Sequence, residues 1–429
     1  MTNIPDLHIQ QEILPLFDFT YNDFSKTTLI GLLSEPLCST EEILLRQEIL
    51  KGFIDNLANF EKYSYSRIEL FEVYTFLANF YDLDTSKKGL YLKLLLSEKE
   101  RHKTRSKYIQ LVMLLHNIQT NNLCSIETKI FPEIYQKEIQ GINDFLTGFN
   151  LTYYVELIRE QQFKIKHIVE LTQVISAKTN KDELKTFWKQ FFLFEAYLSI
   201  SRGIVKERFC FPAFNDDAFS FIELYHPLLK KPVKNSITVK NNVILLTGAN
   251  MSGKSTFLKA VGLAVYLGHL GLAVPASKAE IPFFDVISAS INLNDDLLNG
   301  YSHFMSEIMN LKKVVIEAAQ DKKCFSVFDE LFRGTNIEDA VEISRTTLKG
   351  LTQFKKSIFF ISTHLHQLKE IEEVKSEIIS TYYFDCDVVD KTPIFSYQLK
   401  KGWTDLKVGQ ILFEKEGLNK LLNQPSQKL

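Results

Sequence analysis

Hydrophobic positions change period part-way along the 429-residue chain. In the first half, apolar residues recur every three or four positions over residues 43–57, 68–81, 108–118 and 184–204. That is the spacing of amphipathic helices packing into a core. Ser39-Thr40-Glu41-Glu42 supplies a capping box in front of the first of these stripes. Breakers are scarce: Pro132 is the one proline between Leu37 and Phe211, and five of the 17 glycines fall in the first 200 residues. Past about residue 205 the pattern becomes short β-rich runs at 243–246, 286–291, 324–328, 357–362, 378–384 and 394–399, most of them separated by helical patterns. The expected architecture is therefore α plus α/β: an all-helical domain over residues 1–205, then an α/β domain over 206–429 with a mostly parallel sheet.

The clearest chemistry lies where one strand hands over to a helix. Val243-Ile244-Leu245-Leu246 is followed by Thr247 and then by Gly248-Ala249-Asn250-Met251-Ser252-Gly253-Lys254-Ser255-Thr256, and residues 257–267 read as a helix. Strand, glycine loop and helix form the setting in which G-x-x-x-x-G-K-S cradles phosphate. Backbone N–H groups freed by the glycines and the helix N-terminus favour anionic oxygens. Lys254 is expected to reach the β- and γ-phosphates and Ser255 to place its hydroxyl on Mg²⁺.

Hydrolysis needs a metal, a positioned water and charge stabilisation as well. The run Cys324–Phe328 ends in Asp329 and Glu330. Asp329 suits Mg²⁺, and Glu330 suits orientation or deprotonation of the attacking water. The run at 357–362 leads through Thr363 to His364, which ligand placement at the carboxyl ends of parallel strands brings to the same crevice as a γ-phosphate sensor. Asn336, with Asp339 three residues on, is a candidate helix cap, and Ser302 stands where another helix would begin. That second helix start is a further anion site. It reaches a γ-phosphate already flanked by Lys254 and His364 most simply across a symmetric interface, so ATP is expected between two copies.

Bulk properties narrow the class. Hydrophobic residues at 45% and charged residues at 24% are ordinary for a globular protein, and a net charge of −2 argues against uniform basicity. Basicity is local: residues 86–107, SKKGLYLKLLLSEKERHKTRSK, carry eight Lys or Arg against two Glu, either a solvated helix face or a phosphate-contacting surface. Five scattered cysteines fit neither a disulfide framework nor zinc spacing. No signal pattern opens the chain, and the apolar stretch at 261–274 is too short to span a bilayer, so a cytoplasmic location is expected.

TGANMSGKST, NDDLLNGYSHFMSEI, FDELFRGTNIEDA and STH, in that order, resemble the ATPase domain of MutS-type mismatch-repair proteins. Phe221-Ile222-Glu223-Leu224-Tyr225-His226-Pro227 resembles the lead-in to that domain, and YQLKKGWTDLKVGQILFEKEGL its exit. Upstream, TTLIGLLSEPLCSTEEILLRQEILKGF resembles the start of the family's helical core, or lever. The resemblance implies an ABC-type P-loop ATPase that uses ATP and Mg²⁺, dimerises through that domain, and binds mismatched or branched DNA. It places Asn250 on the nucleotide, Val233 near the adenine and Ser302 on the partner's nucleotide, and assigns Lys254, Ser255, Asp329, Glu330 and His364 the roles given above. Ser252, His303 and Phe332 depart from the family's usual glycine, threonine and glycine.

The family's two N-terminal domains, one of which wedges a Phe-x-Glu aromatic into DNA, are expected to be missing, with the helical part short. Phe131-Pro132-Glu133 and Phe221-Ile222-Glu223 match the tripeptide outside any such domain. Two functions follow as expectations: ATP-dependent sensing of mismatched or damaged DNA, or an ATP-gated scaffold that binds branched DNA or a full-length MutS relative. An ATPase acting on something other than DNA is the third class, and a transporter is disfavoured by the lack of an LSGGQ-type signature.

Overall fold

The computed structural model describes residues 2–80, 87–180, 182–291, 303–332, 334–389, 392–404, 406 and 408–423. They form two compact units. One takes residues 14–32 and 45–206, the other residues 1–13, 33–44 and 207–429. The single boundary expected near residue 205 thus left with the helices two N-terminal segments that cluster with the α/β unit. Their contacts give the reason. Strand β1 (Thr2–Asn3) pairs in parallel with β7 (Val286–Ser290), and the Asp6 carboxylate accepts the Ile291 N–H at 2.8 Å. Leu37 N–H donates to the His269 carbonyl at 2.9 Å, and the Tyr266 hydroxyl donates to the Leu33 carbonyl at 2.8 Å.

The helical unit is organised on Glu183–Glu207. From Phe187 onward this helix buries residues on nearly every face, as a helix apolar all round must. Aromatic rings fill the space about it: Phe53 lies 5.0 Å from Phe194 and 5.2 Å from Phe131, and Phe187 stacks 4.3 Å from Phe145. Of the capping box expected ahead of the helix Thr40–Asp55, half is present: Ser39 Oγ accepts the Glu42 N–H at 3.3 Å, while Glu42 reaches back to the N–H of Cys38 at 3.0 Å, not to that of Ser39.

In the α/β unit, the seven-stranded sheet runs β1-β7-β8-β9-β5-β10-β11, with β5 Val243–Thr247, β8 Cys324–Phe328, β9 Ile358–Ser362, β10 Ser380–Val389 and β11 Thr392–Lys401. Every pairing is parallel except β10 with β11. β5, β7 and β8 are buried at all positions, which is why apolar residues dominate their sequences, interrupted only by the small polar Thr247, Ser288, Ser290 and Ser326. A second sheet, β2-β6-β3-β4, holds β2 Ala213–Phe214, β3 Ser220–Leu224, β4 Asn235–Thr238 and β6 Lys278–Ile281. The helix Lys254–His269 follows β5 directly and is itself almost wholly buried.

Candidate active site

The order β8-β9-β5 sets three strand ends side by side. Each carries one of the stretches singled out in the sequence. After β5 the chain turns through residues 248–253, with Gly248 at φ 136° and Gly253 at φ 104°. These values lie outside the range that side chains favour. Gly253 is also sterically constrained, since a Cβ there would stand 3.3 Å from the Tyr397 ring. Lys254 opens the following helix. Its Nζ donates to the carbonyls of Gly248 at 2.9 Å and Ala249 at 3.0 Å, folding the ammonium back over its own loop. Burial pushes this amine below its ordinary range, and the charges of Glu330 and Asp329 oppose that shift.

After β8, Asp329 and Glu330 are tied to the end of β9 through one side chain. The Ser362 hydroxyl donates to Asp329 Oδ1 and accepts the Glu330 N–H at 2.7 Å. Asp329 N–H in turn donates to the Ser290 carbonyl at 3.0 Å. Glu330 sits at φ 52°, a strained value for a residue with a Cβ. Its Oε1 lies 2.6 Å from His364 Nε2. Three adjacent strands therefore bring Lys254, the acidic pair and His364 to one edge, as the sequence led us to expect.

A cavity of about 530 Å³ opens beside this edge. Of the predicted residues, Val233, Asn250, Met251, Gly253, Lys254, Ser255, Thr256 and Glu330 line it. Gly248, Ala249, Ser252, Asp329 and His364 are not among the lining residues. Ser252 is 1% exposed, and its hydroxyl has no hydrogen-bond partner among the described residues. Ser302 lies outside the described residues.

Sequence reading missed the far wall: Tyr225, His226, Phe384 and Tyr397. Tyr397 comes from β11, and although it opens the stretch YQLKKGWTDLKVGQILFEKEGL, nothing local places it on this wall. Asn235 holds it from behind, donating to the Tyr397 carbonyl at 3.0 Å and accepting the Leu399 N–H at 2.7 Å. Burial lowers the His226 pKa, with Lys259 adding to the shift and Glu12 opposing it. His226-Pro227 was legible as a motif, but its place on this wall was not.

Beyond the acidic pair, Phe332 occupies φ 67°, a left-handed conformation that favours glycine. Here the ring is 1% exposed within the core formed with Leu331, Phe328 and Val314. Its N–H donates to Glu307 at 2.8 Å. Asn336 caps the helix Ile337–Leu351, its Oδ1 accepting the Asp339 N–H at 2.9 Å as the sequence suggested. Among the described residues no cluster of three or more His, Cys, Asp or Glu forms a metal cage, and no helix is long and apolar enough to cross a membrane.

The model of MutS domain V matches residues 244–424. The chain is 30% identical over 296 residues to the DNA mismatch repair protein MutS of Bacillus licheniformis, covering 67% of this chain and 32% of that one. The Bacillus subtilis protein of the same name gives the same identity and coverage. That of Fusobacterium nucleatum is 30% identical over 324 residues, 73% of this chain and 34% of that protein. The matched region is thus about a third of the length of these relatives.

Proposed function

The C-terminal part of this chain belongs to the MutS family, and we propose that it works as an ATPase module whose nucleotide state governs binding to mismatched or branched DNA. The observation that carries this reading is the convergence of Lys254, Asp329, Glu330 and His364 at three adjacent strand ends beside a cavity of nucleotide size.

The donor set fits ATP and Mg²⁺. Lys254 Nζ already rests on two carbonyls of the glycine loop, so phosphate oxygens would replace weak acceptors with charged ones. Tyr397, Phe384 and Phe257 give the cavity an aromatic wall for a base, with Val233 and Asn250 at its side. Ser255 and Asp329 supply oxygen only, as Mg²⁺ prefers when phosphates complete its shell. When bound, the metal neutralises charge on the phosphate oxygens.

Glu330 takes the proton from the attacking water onto its carboxylate as the water oxygen bonds to the γ-phosphorus and ADP leaves. His364 holds Glu330 Oε1 and faces the phosphate. Ser362 fixes the spacing of the two acids. Ser302, delivered from a second copy, completes the site in a homodimer, and the helical unit serves as the lever that transmits closure.

The relatives named DNA mismatch repair proteins support a role in DNA repair, and we place that role in the cytoplasm. Because the matched region is a third of their length, direct mismatch reading is one form of that role. Docking on a full-length MutS relative is the other. Binding of plain duplex, mismatched duplex and a four-way junction by the Glu330→Ala protein, with and without ATP, tests the proposal. An ATP-dependent preference for mismatch or junction is expected. Equal binding to all three, indifferent to ATP, would refute DNA sensing by this chain.

A further inference from the structure

The basic stretch read from the sequence is broken in two. Lys87–Leu96 ends before Ser97, whose Oγ accepts the Glu100 N–H at 3.3 Å and starts the second helix, Glu98–Asn117. Both pack against the helix Ile165–Asn180 within the helical unit. Where the three meet, two hollows of about 510 and 650 Å³ share Tyr91 and Lys166. Arg101, Arg105 and Lys164 line the first, and Lys88 lines the second. Glu170 is the only acid among the described residues that line them.

Neutralisation nearby is weak. Glu98 approaches Arg101 only to 3.8 Å, on the exposed face of the same helix. Arg105 Nε is buried without a hydrogen-bond acceptor among the described residues. That leaves one guanidinium N–H of Arg105 unsatisfied within the fold. Tyr91, which lines both hollows, leaves 45% of its surface exposed.

From this we infer that the cleft holds a single nucleic-acid strand. Its phosphodiesters lie against Arg101, Arg105, Lys164, Lys166 and Lys88, and an unpaired base stacks on Tyr91. A lone phosphate would engage one hollow, whereas the cations extend through both. Recessed hollows with an aromatic face suit an unpaired strand better than the convex side of a duplex. The inference shares with the proposed function only its partner class, and it is independent of the ATP site.

The test is fluorescence anisotropy of the full-length chain with a labelled 20-nucleotide oligothymidine and with a duplex of the same length, across a salt series. Arg101→Gln/Arg105→Gln is expected to weaken oligothymidine binding about tenfold or more and to make its log–log salt slope shallower by roughly 1.4. Tyr91→Ala is expected to lose oligothymidine affinity several-fold and leave duplex binding alone. Lys164→Gln/Lys166→Gln, at exposed positions, repeats the first effect should the arginine variant fail to fold. Unchanged affinity and slope in both charge variants would overturn the cleft while leaving the ATP-gated reading intact. A parent chain that binds neither oligonucleotide, with or without ATP, would remove the nucleic-acid partner and the DNA reading together.

Discussion

Glu195 in the helical unit and Glu330 in the α/β unit are both carboxylates held by hydrogen bonds, yet their surroundings differ in kind. Glu195 is 2% exposed. Asn22, Ser25 and Tyr65 donate to it at 2.5 Å, and Tyr63 donates as well. Burial raises its pKa, and those four donors pull the other way. The chain has spent that carboxylate on itself. Glu330 stands on a cavity wall at a strained φ, with His364 at its oxygen and 20% of its side chain exposed. Satisfaction by the fold marks a structural acid, and exposure to a cavity marks one available for chemistry.

The largest expected effect comes from breaking the first case. Glu195→Ala leaves four donors around a hole and should cost about 3–5 kcal/mol in denaturant unfolding. A loss under about 1 kcal/mol would mean that the cluster is not structural. The α/β unit holds its own fully used group, His269, which sharpens the contrast. Its Nδ1 faces the Val265 carbonyl at 2.8 Å, and its Nε2 accepts the Phe284 N–H at 2.9 Å, so only the neutral ring satisfies both. Burial lowers its pKa to about 4. The unfolded chain therefore binds more protons between about pH 6.5 and 4. Stability is full above that window and falls by roughly 3 kcal/mol as pH drops through it. A pH series of unfolding midpoints for the parent and His269→Gln should show the parent's drop shrinking in the variant.

A smaller effect is expected at Phe332, beside the acidic pair. Phe332→Gly relieves a positive φ but deletes a buried ring, for a net loss of about 2 kcal/mol. A gain in melting temperature would show that strain outweighs packing there.

The same contrast explains what was legible in the sequence. Buried parallel strands announce themselves as apolar runs, and the glycine loop, the acidic pair and His364 follow three such runs directly, so the edge where these candidates meet could be read. The second sheet could not, because its strands are two to five residues long and one of them alternates buried with exposed positions. Ser362, which ties the acidic pair to the next strand, acts across 33 positions, and Tyr397 reaches the cavity from a strand near the edge of the sheet. Both stand at the head of stretches that were legible, STH and YQLKKGWTDLKVGQILFEKEGL, but nothing local in either tells which distant groups they meet. The break at Ser97 did have a local pattern, Ser-x-x-Glu, masked by the basic residues on either side.

ATP binding and steady-state turnover by the parent chain, Lys254→Ala and Glu330→Ala together test the central claim most directly. The account predicts that Glu330→Ala binds ATP like the parent and turns over slower by on the order of 10² or more, whereas Lys254→Ala loses binding. Undiminished turnover in Glu330→Ala, or no ATP binding by the parent, would contradict it.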